Sequence, residues 1–303
     1  VTQPSRDPRV ERDGPVVVAI GGGHGLARTL GASRRFAGAL TAVVSVADDG
    51  GSTGRLRRDL AIPAPGDVRR ALLALLPQPT PLGRAVGLRF AEGELAGHAF
   101  GNLLLVALAE VCGGFLPGVD AACRLLDTVG DVLPATSVPV TLCAEASGHQ
   151  VAGQVQVMGE HGITTVHLDP PDATAPDAVL AAIAAADMIV VGPGSLYTSV
   201  LAALAPVGML PAIAASRAVT VYVANLKEQI PETAGYDIGR HLAALRLHGF
   251  VPDIALVDTA SIPLGVIPEG TTVLLRSLAE PHGAIHDEAA LADALAEVSA
   301  PRR

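Results

Sequence analysis

The chain has no tryptophan and only 3% aromatic residues in 303 positions, so its interior must pack on aliphatic side chains. Half the residues are hydrophobic, mainly Ala, Val and Leu, and only 17% are charged, which excludes disorder over most of the length. Lys227 is the sole lysine, and with a net charge of −9 the chain lacks the basic face that a nucleic-acid protein needs to release counterions. The preference for arginine over lysine, with abundant alanine, fits GC-rich coding rather than function. Cys112, Cys123 and Cys143 are odd in number, far apart and without a C-x-x-C, which reads as reduced thiols of a cytoplasmic protein. Long apolar runs are missing too. The longest, Val200 to Ala215, is broken by Pro206, Gly208 and Pro211 and falls short of the about 20 residues a bilayer takes, so no membrane insertion is expected. Residues 1–14 are polar, without an apolar signal core, and read as a disordered tail ahead of a single domain over 15–303.

What is present is an α/β rhythm. Pro15 to Ile20 is a β-branched run without polar alternation, as a parallel strand covered on both faces requires. Glycines follow at once, then a helical pattern through Leu26, Leu30 and Phe36, then a second buried strand at Leu40 to Ala47. That β-loop-α-β order over roughly 30 residues opens a Rossmann-like sheet. Helices are expected from Pro65-Gly66-Asp67, with Asp67 as N-cap of Val68 to Leu76, and at Leu82 to Glu92 and Ala99 to Val111, forming a helical insertion. Alternation at Val138 to Glu145 and Val151 to Val157 around Ser147-Gly148-His149 predicts a hairpin, within a mixed sheet or as a small flap. Further helices are expected at Pro176 to Ala186, from Ser195, at Tyr236 to His248 and at Asp287 to Val298. Further strands are expected at Met188 to Val191, Val219 to Ala224, Ile254 to Val257 and Val273 to Leu275. The predicted class is α/β: a Rossmann-like three-layer α/β/α fold with a mostly parallel sheet, a helical insertion and a β-hairpin elaboration.

Three glycine-rich loops stand at strand ends. Gly21-Gly22-Gly23-His24-Gly25 lets backbone N–H groups approach a phosphate, with the dipole of the next helix behind them. Leu26 stands where the dinucleotide fingerprint needs glycine or alanine, and the lysine of a P-loop is missing. The second loop is Asp48-Asp49-Gly50-Gly51-Ser52-Thr53-Gly54-Arg55. Its two acids suit Mg²⁺ or sugar hydroxyls, and its amides, Ser52 and Arg55 suit phosphate oxygens. The third is Gly192-Pro193-Gly194-Ser195-Leu196-Tyr197-Thr198-Ser199, again glycines followed by hydroxyl side chains. Three such loops at the C-terminal ends of strands exceed what turn chemistry requires and point to a phosphorylated ligand. His98 and Asn102 at a helix start, and Asn225 to Thr233 (NLKEQIPET) after another strand, are further candidates to line the crevice. No G-x-S-x-G elbow, zinc-protease helix or Cys–His neighbour declares a nucleophile.

Together these motifs resemble the gluconeogenesis-factor (YvcK-type) family of the CofD-like superfamily. The text that carries the resemblance is AIGGGHGL at 19–26, VADDGGSTGRLRRDL at 46–60, PAPGDVRRAL at 63–72 and GHAFGNLLL at 97–105. It continues with GDVLPAT at 130–136, VGPGSLYTS at 191–199 and ETAGYD at 232–237, in order over nearly the whole chain. The resemblance implies binding of UDP-activated sugars, notably UDP-N-acetylglucosamine, and a role in cell shape and envelope synthesis on gluconeogenic carbon, exerted through a protein partner or an oligomer. Related branches transfer a phospholactyl-type group from a nucleotide donor. Members often carry an arginine ahead of a C-terminal His-Asp pair. Here that pair is His286-Asp287, preceded by Ala284 and Ile285, and Arg276 is the nearest arginine.

Three readings follow. A nucleotide-sugar-binding regulator would use the glycine loops for the diphosphate, Asp48 or Asp49 for hydroxyls, and Asn102 and Asn225 for the uracil or N-acetyl group. A transferase would add Mg²⁺ on Asp48 and Asp49. A nicotinamide oxidoreductase fits least, because the fingerprint is broken.

Overall fold

β1 (Val16–Gly21) is buried from Val17 onward, and α1 (Gly23–Ser33) returns the chain to the parallel strand β2 (Ala39–Val44). The insertion then runs through α2 (Gly51–Leu60), α3 (Pro65–Ala74), α4 (Pro81–Gly87), α5 (Phe100–Val111) and α6 (Phe115–Leu126). It ends at β3 (Asp131–Pro134), which pairs parallel with β2. A separate antiparallel sheet follows, made of β4 (Thr141–Ala146), β5 (His149–Ala152) and β6 (Ile163–Asp169), with α7 (Gln154–Met158) between the last two. Then come α8 (Asp177–Ala185), β7 (Met188–Val191), a π-helical segment Leu196–Leu201 leading into α9 (Ala202–Leu204), and α10 (Met209–Ala215). The chain closes with β8 (Val219–Val223), α11 (Ile238–Leu247), β9 (Ile254–Asp258), β10 (Thr272–Arg276) and α12 (Glu288–Ser299). The computed structural model describes residues 13–283 and 285–299, so nearly all of the expected tail lies outside the described residues.

The main sheet has seven parallel strands in the order β10-β9-β8-β7-β1-β2-β3. From β1 the chain moves outward to β3, then returns to the other side of β1 as β7 and moves out again to β10. The reversal between β1 and β7 is a topological switch point, and its crevice at the strand C-termini is where open α/β sheets take ligands. Helices flank this sheet in a Rossmann-like α/β fold. The antiparallel strands form their own three-stranded sheet rather than mixing into the large one.

Several elements differ from expectation for local reasons. The second hairpin arm stops at Ala152, because Gly153 (φ +104) turns the chain into α7, and β6 adds a third strand. The glycine-rich run after Asp49 is the start of α2 rather than an extended loop. The apolar segment containing Pro117 and Gly118 is α6. Pro65 occupies the first position of α3, where its missing N–H costs nothing, and Ala64 is the N-cap. Asp67 is therefore not the cap but a residue of the first helical turn, and its carboxylate turns toward α1. Thr80 caps α4 by accepting from Gly83 N at 2.9 Å, and Asp237 caps α11 by accepting from Arg240 N at 2.7 Å. Among the described residues no single helix is long and apolar enough to cross a membrane, and α5 and α6 reach that composition only as a pair bent by 119°.

Candidate functional site

The first and third glycine loops follow β1 and β7 and meet at the switch point. A Cβ at Gly25 would lie 2.6 Å from the carbonyl carbon of Pro193 and closer still to its oxygen, so glycine is what lets α1 seat against the third loop. Thr29 Oγ donates to Gly192 O at 2.6 Å from within α1. From the end of β8, Asn225 accepts from Gly194 N at 3.0 Å and donates to Gly194 O at 2.9 Å, which fixes the loop in both directions. In front of this junction opens a cleft of about 950 Å³. It runs along α1 from His24 to Arg34, about 15 Å at the rise of an α-helix, between α3 on one side and residues 225–229 and 285–288 on the other. Its cationic side chains are Arg28, Arg34, Arg69, Arg70 and Lys227.

Carboxylates of the protein itself already fill several helix N-termini nearby. Asp67 accepts from Gly23 N at 2.8 Å and pairs with Arg70. Burial pushes its pKa above the ordinary carboxylate range, with Arg70 opposing the shift and Asp48 adding to it. A Cβ at Gly22 would lie 2.6 Å from that carboxylate, so the first loop is shaped around Asp67 as much as around a ligand. Glu232 closes the π-helical segment, accepting from Tyr197 N at 2.7 Å and from the Thr198 hydroxyl at 3.0 Å. Burial raises its pKa as well. Asp49 accepts from Val155 N at 3.0 Å and so caps α7. These pairings are electrostatically apt, since a helix N-terminus favours negative charge.

The second loop sits in a different polar network. Ser52 Oγ lies 3.1 Å from His98 Nδ1, and His98 Nε2 accepts from Arg55 Nε at 3.1 Å. Because a guanidinium can only donate, the His98 proton must sit on Nδ1, directed at Ser52. Asn102 donates to the same hydroxyl at 3.2 Å and accepts from Arg69 Nε at 3.1 Å. Ser52 and His98 therefore touch without forming a nucleophile–base pair. A catalytic histidine is oriented by an acceptor on its second nitrogen, whereas this one faces a cation, and burial with Arg55 lowers its pKa.

The structure thus divides the expected site. His24, Gly25, Gly194 and Asn225 line the cleft. Gly21, Gly22, Gly23 and Gly192 stand in the turns after β1 and β7 and Ser195 caps the π-helical segment, but none of these five lines the cleft. Tyr197 and Thr198 are buried and face Glu232, and the Tyr197 hydroxyl meets that of Tyr236 at 3.0 Å. Asp48, Asp49, Gly50, Gly51, Ser52, Arg55, His98 and Asn102 are not among the residues lining the cleft. Asp48 and Asp49 diverge: Asp48 accepts from Gly50 N at 2.9 Å, whereas both Asp49 oxygens are turned to the Gly153–Val155 turn. As a pair they do not fit a shared Mg²⁺, and among the described residues no group of three or more His, Cys, Asp or Glu side chains could hold a metal. Sequence reasoning missed Arg28, Arg34, Arg69 and Arg70 as cleft residues, whereas Lys227 lies in the 225–233 segment expected to line the crevice and His286 in the pair that the resemblance singled out. The spacing of Arg28 from His24, one turn along a helix that begins at a glycine loop, was the available signal. Arg276 is on the surface, paired with Glu297, whereas Arg28 of α1 lines the cleft with Ile285 and His286. His286 is held neutral, its pKa pushed down to about 4 by burial.

Comparison with known proteins shows the family. Residues 17–294 match the family described as 2-phospho-L-lactate transferase CofD. A Mycobacterium leprae protein described as "Putative gluconeogenesis factor" is 38% identical over 93% of this chain and 85% of its own length. A Mycobacterium tuberculosis protein of the same description is 41% identical over 82% of this chain and 77% of its own. The crystal structure of a Bacillus halodurans protein of the UPF0052 family superposes with a TM-score of 0.87 at 35% identity, covering 94% of this chain and 99% of that one.

Proposed function

The chain belongs to the gluconeogenesis-factor family of the CofD-like superfamily, and from that premise we propose that it binds a nucleotide diphosphate sugar of the UDP-N-acetylglucosamine type as a regulator of envelope synthesis. One observation carries the reading: a chain of net charge −9 gathers five cationic side chains along one cleft at the switch point of its sheet. The cleft is within the size range of small-molecule sites. The diphosphate lies in the cleft in front of α1, among its cationic side chains. The sugar or base extends toward Arg28 and His286. Binding alone suffices for a regulator, whose output passes to a protein partner.

Calorimetric titration with UDP-N-acetylglucosamine, with and without Mg²⁺, followed by analysis of the nucleotide after overnight incubation, tests this. Saturable binding with intact nucleotide supports the regulator. Binding with release of UMP or UDP moves the protein to the transferase reading that the CofD family description suggests. No binding in either condition removes the nucleotide-sugar assignment.

A further inference from the structure

Four of the five cationic side chains along the cleft are already held by the protein. Arg28 pairs with Glu280 at 3.1 Å and Glu288 at 3.5 Å. Arg34 donates to the carbonyls of Ala74 and Pro77, Arg69 to Asn102, and Arg70 pairs with Asp67. Lys227 is exposed and makes no hydrogen bond or ion pair with any described residue. Turning one of the arginines to a ligand forfeits an existing contact, whereas Lys227 gains a new one.

Lys227 also stands where two cavities meet. The main cleft and a second cavity of about 510 Å³ share Leu226, Lys227 and Glu228. The second cavity is walled by Ile230, Tyr236, Ile262, Pro263 and Ala279. Its buried carboxylate, Asp258, is satisfied by backbone: it accepts from Ala260 N at 2.8 Å, Leu278 N at 2.7 Å and Ala279 N at 3.0 Å. Glu228 accepts from Gly235 N. The second cavity therefore presents mainly apolar wall, with one uncommitted cation at its junction with the cleft.

We infer that Lys227 is the anion-recognition residue of this site, and that the second cavity takes an uncharged end of the same ligand. The ligand then straddles residues 226–228 with a phosphate at the ammonium. This deepens the phosphorylated-ligand reading above and rests on it.

Because Lys227 is the only lysine, an amine-acylating reagent read by mass spectrometry of its peptide reports on this side chain alone. Inorganic pyrophosphate and UDP-N-acetylglucosamine serve as separate probes. Both should slow acylation of Lys227 several-fold at saturation. Lys227→Met should weaken both by about tenfold or more, the scale of a charge-assisted contact, and Lys227→Arg should restore part of it. Ala260→Trp, at an exposed position on the rim of the second cavity, should weaken the nucleotide sugar and leave pyrophosphate unchanged. Nucleotide-sugar binding with unprotected Lys227 and an unaffected Lys227→Met variant overturns the inference and leaves the cleft reading standing. Protection by pyrophosphate without nucleotide-sugar binding keeps the anion site and removes the nucleotide reading. No protection by either probe removes the anion site. Equal effects of Ala260→Trp on both probes, or none on either, remove the second cavity from the account.

Discussion

Gly25→Ala puts the seating of α1 against the third loop to a quantitative test. Inside a helix, alanine is favoured over glycine by about 1 kcal/mol, so propensity alone predicts a more stable protein. The new Cβ, however, would stand 2.6 Å from Pro193 C and 3.1 Å from Gly194 N, both backbone atoms that cannot swing aside. Overpacking of this kind costs about 1–3 kcal/mol, and a rigid backbone neighbour puts the cost at the upper end. The clash wins, for a net loss of about 2 kcal/mol. In a chain of this size that lowers Tm by several degrees, at about 2–4 °C per kcal/mol. Gly87→Ala at the end of α4 is the control, because its Cβ would meet only the flexible end of Leu73 at 3.7 Å, and it should be neutral or slightly stabilising. Urea and thermal melts of both variants measure the difference. A Gly25→Ala protein as stable as the parent would refute the close approach of α1 to the third loop, and with it the geometry of the cleft's closed end.

Three further outcomes follow from the same structure. Burial raises the Glu232 pKa, so the folding stability it contributes is full below its ordinary value of 4.5 and is lost as pH rises through the raised one; Glu232→Gln should lose that decline in urea melts taken upward from pH 4.5, and an unchanged profile would contradict it. His286 is shifted the other way, so stability should fall as pH drops from 6.5 toward about 4, and His286→Asn should flatten that limb of the curve. Asp49→Ala removes the α7 cap and should cost about 1 kcal/mol, seen as faster amide exchange over residues 153–158; unaltered exchange there would show that Asp49 has another role.

The large sheet was legible because its strands are continuous β-branched runs: VVVAIG of β1, ALTAVV of β2 and MIVV of β7 need no partner to be recognised. β3 was not, since four residues ending in a proline carry little periodic signal. α2 was hidden by the glycines at its start, which also belong to the ligand-loop pattern. The glycine loops were placed correctly at the strand ends, and β1 and β2 are neighbours as expected. What the loops do could not be read locally. The partner of Gly23 N is Asp67, 44 residues on, and the partner of the third loop's helix start is Glu232, 34 residues beyond Thr198. Such pairings depend on how helices cross at the sheet edge. Asn102 and Asn225 have the chemistry expected of ligand contacts, yet their donors and acceptors are taken up by Ser52, Arg69 and Gly194. The cleft arginines escaped notice for the opposite reason: in a chain whose positive side chains are all arginine but one, composition gives each of them an innocent explanation.

The most direct test of the central claim is a crystal structure of the protein soaked with UDP-N-acetylglucosamine. The account predicts diphosphate density in the cleft in front of α1, among its cationic side chains. Clear density for the nucleotide sugar at any other place on the molecule would contradict it.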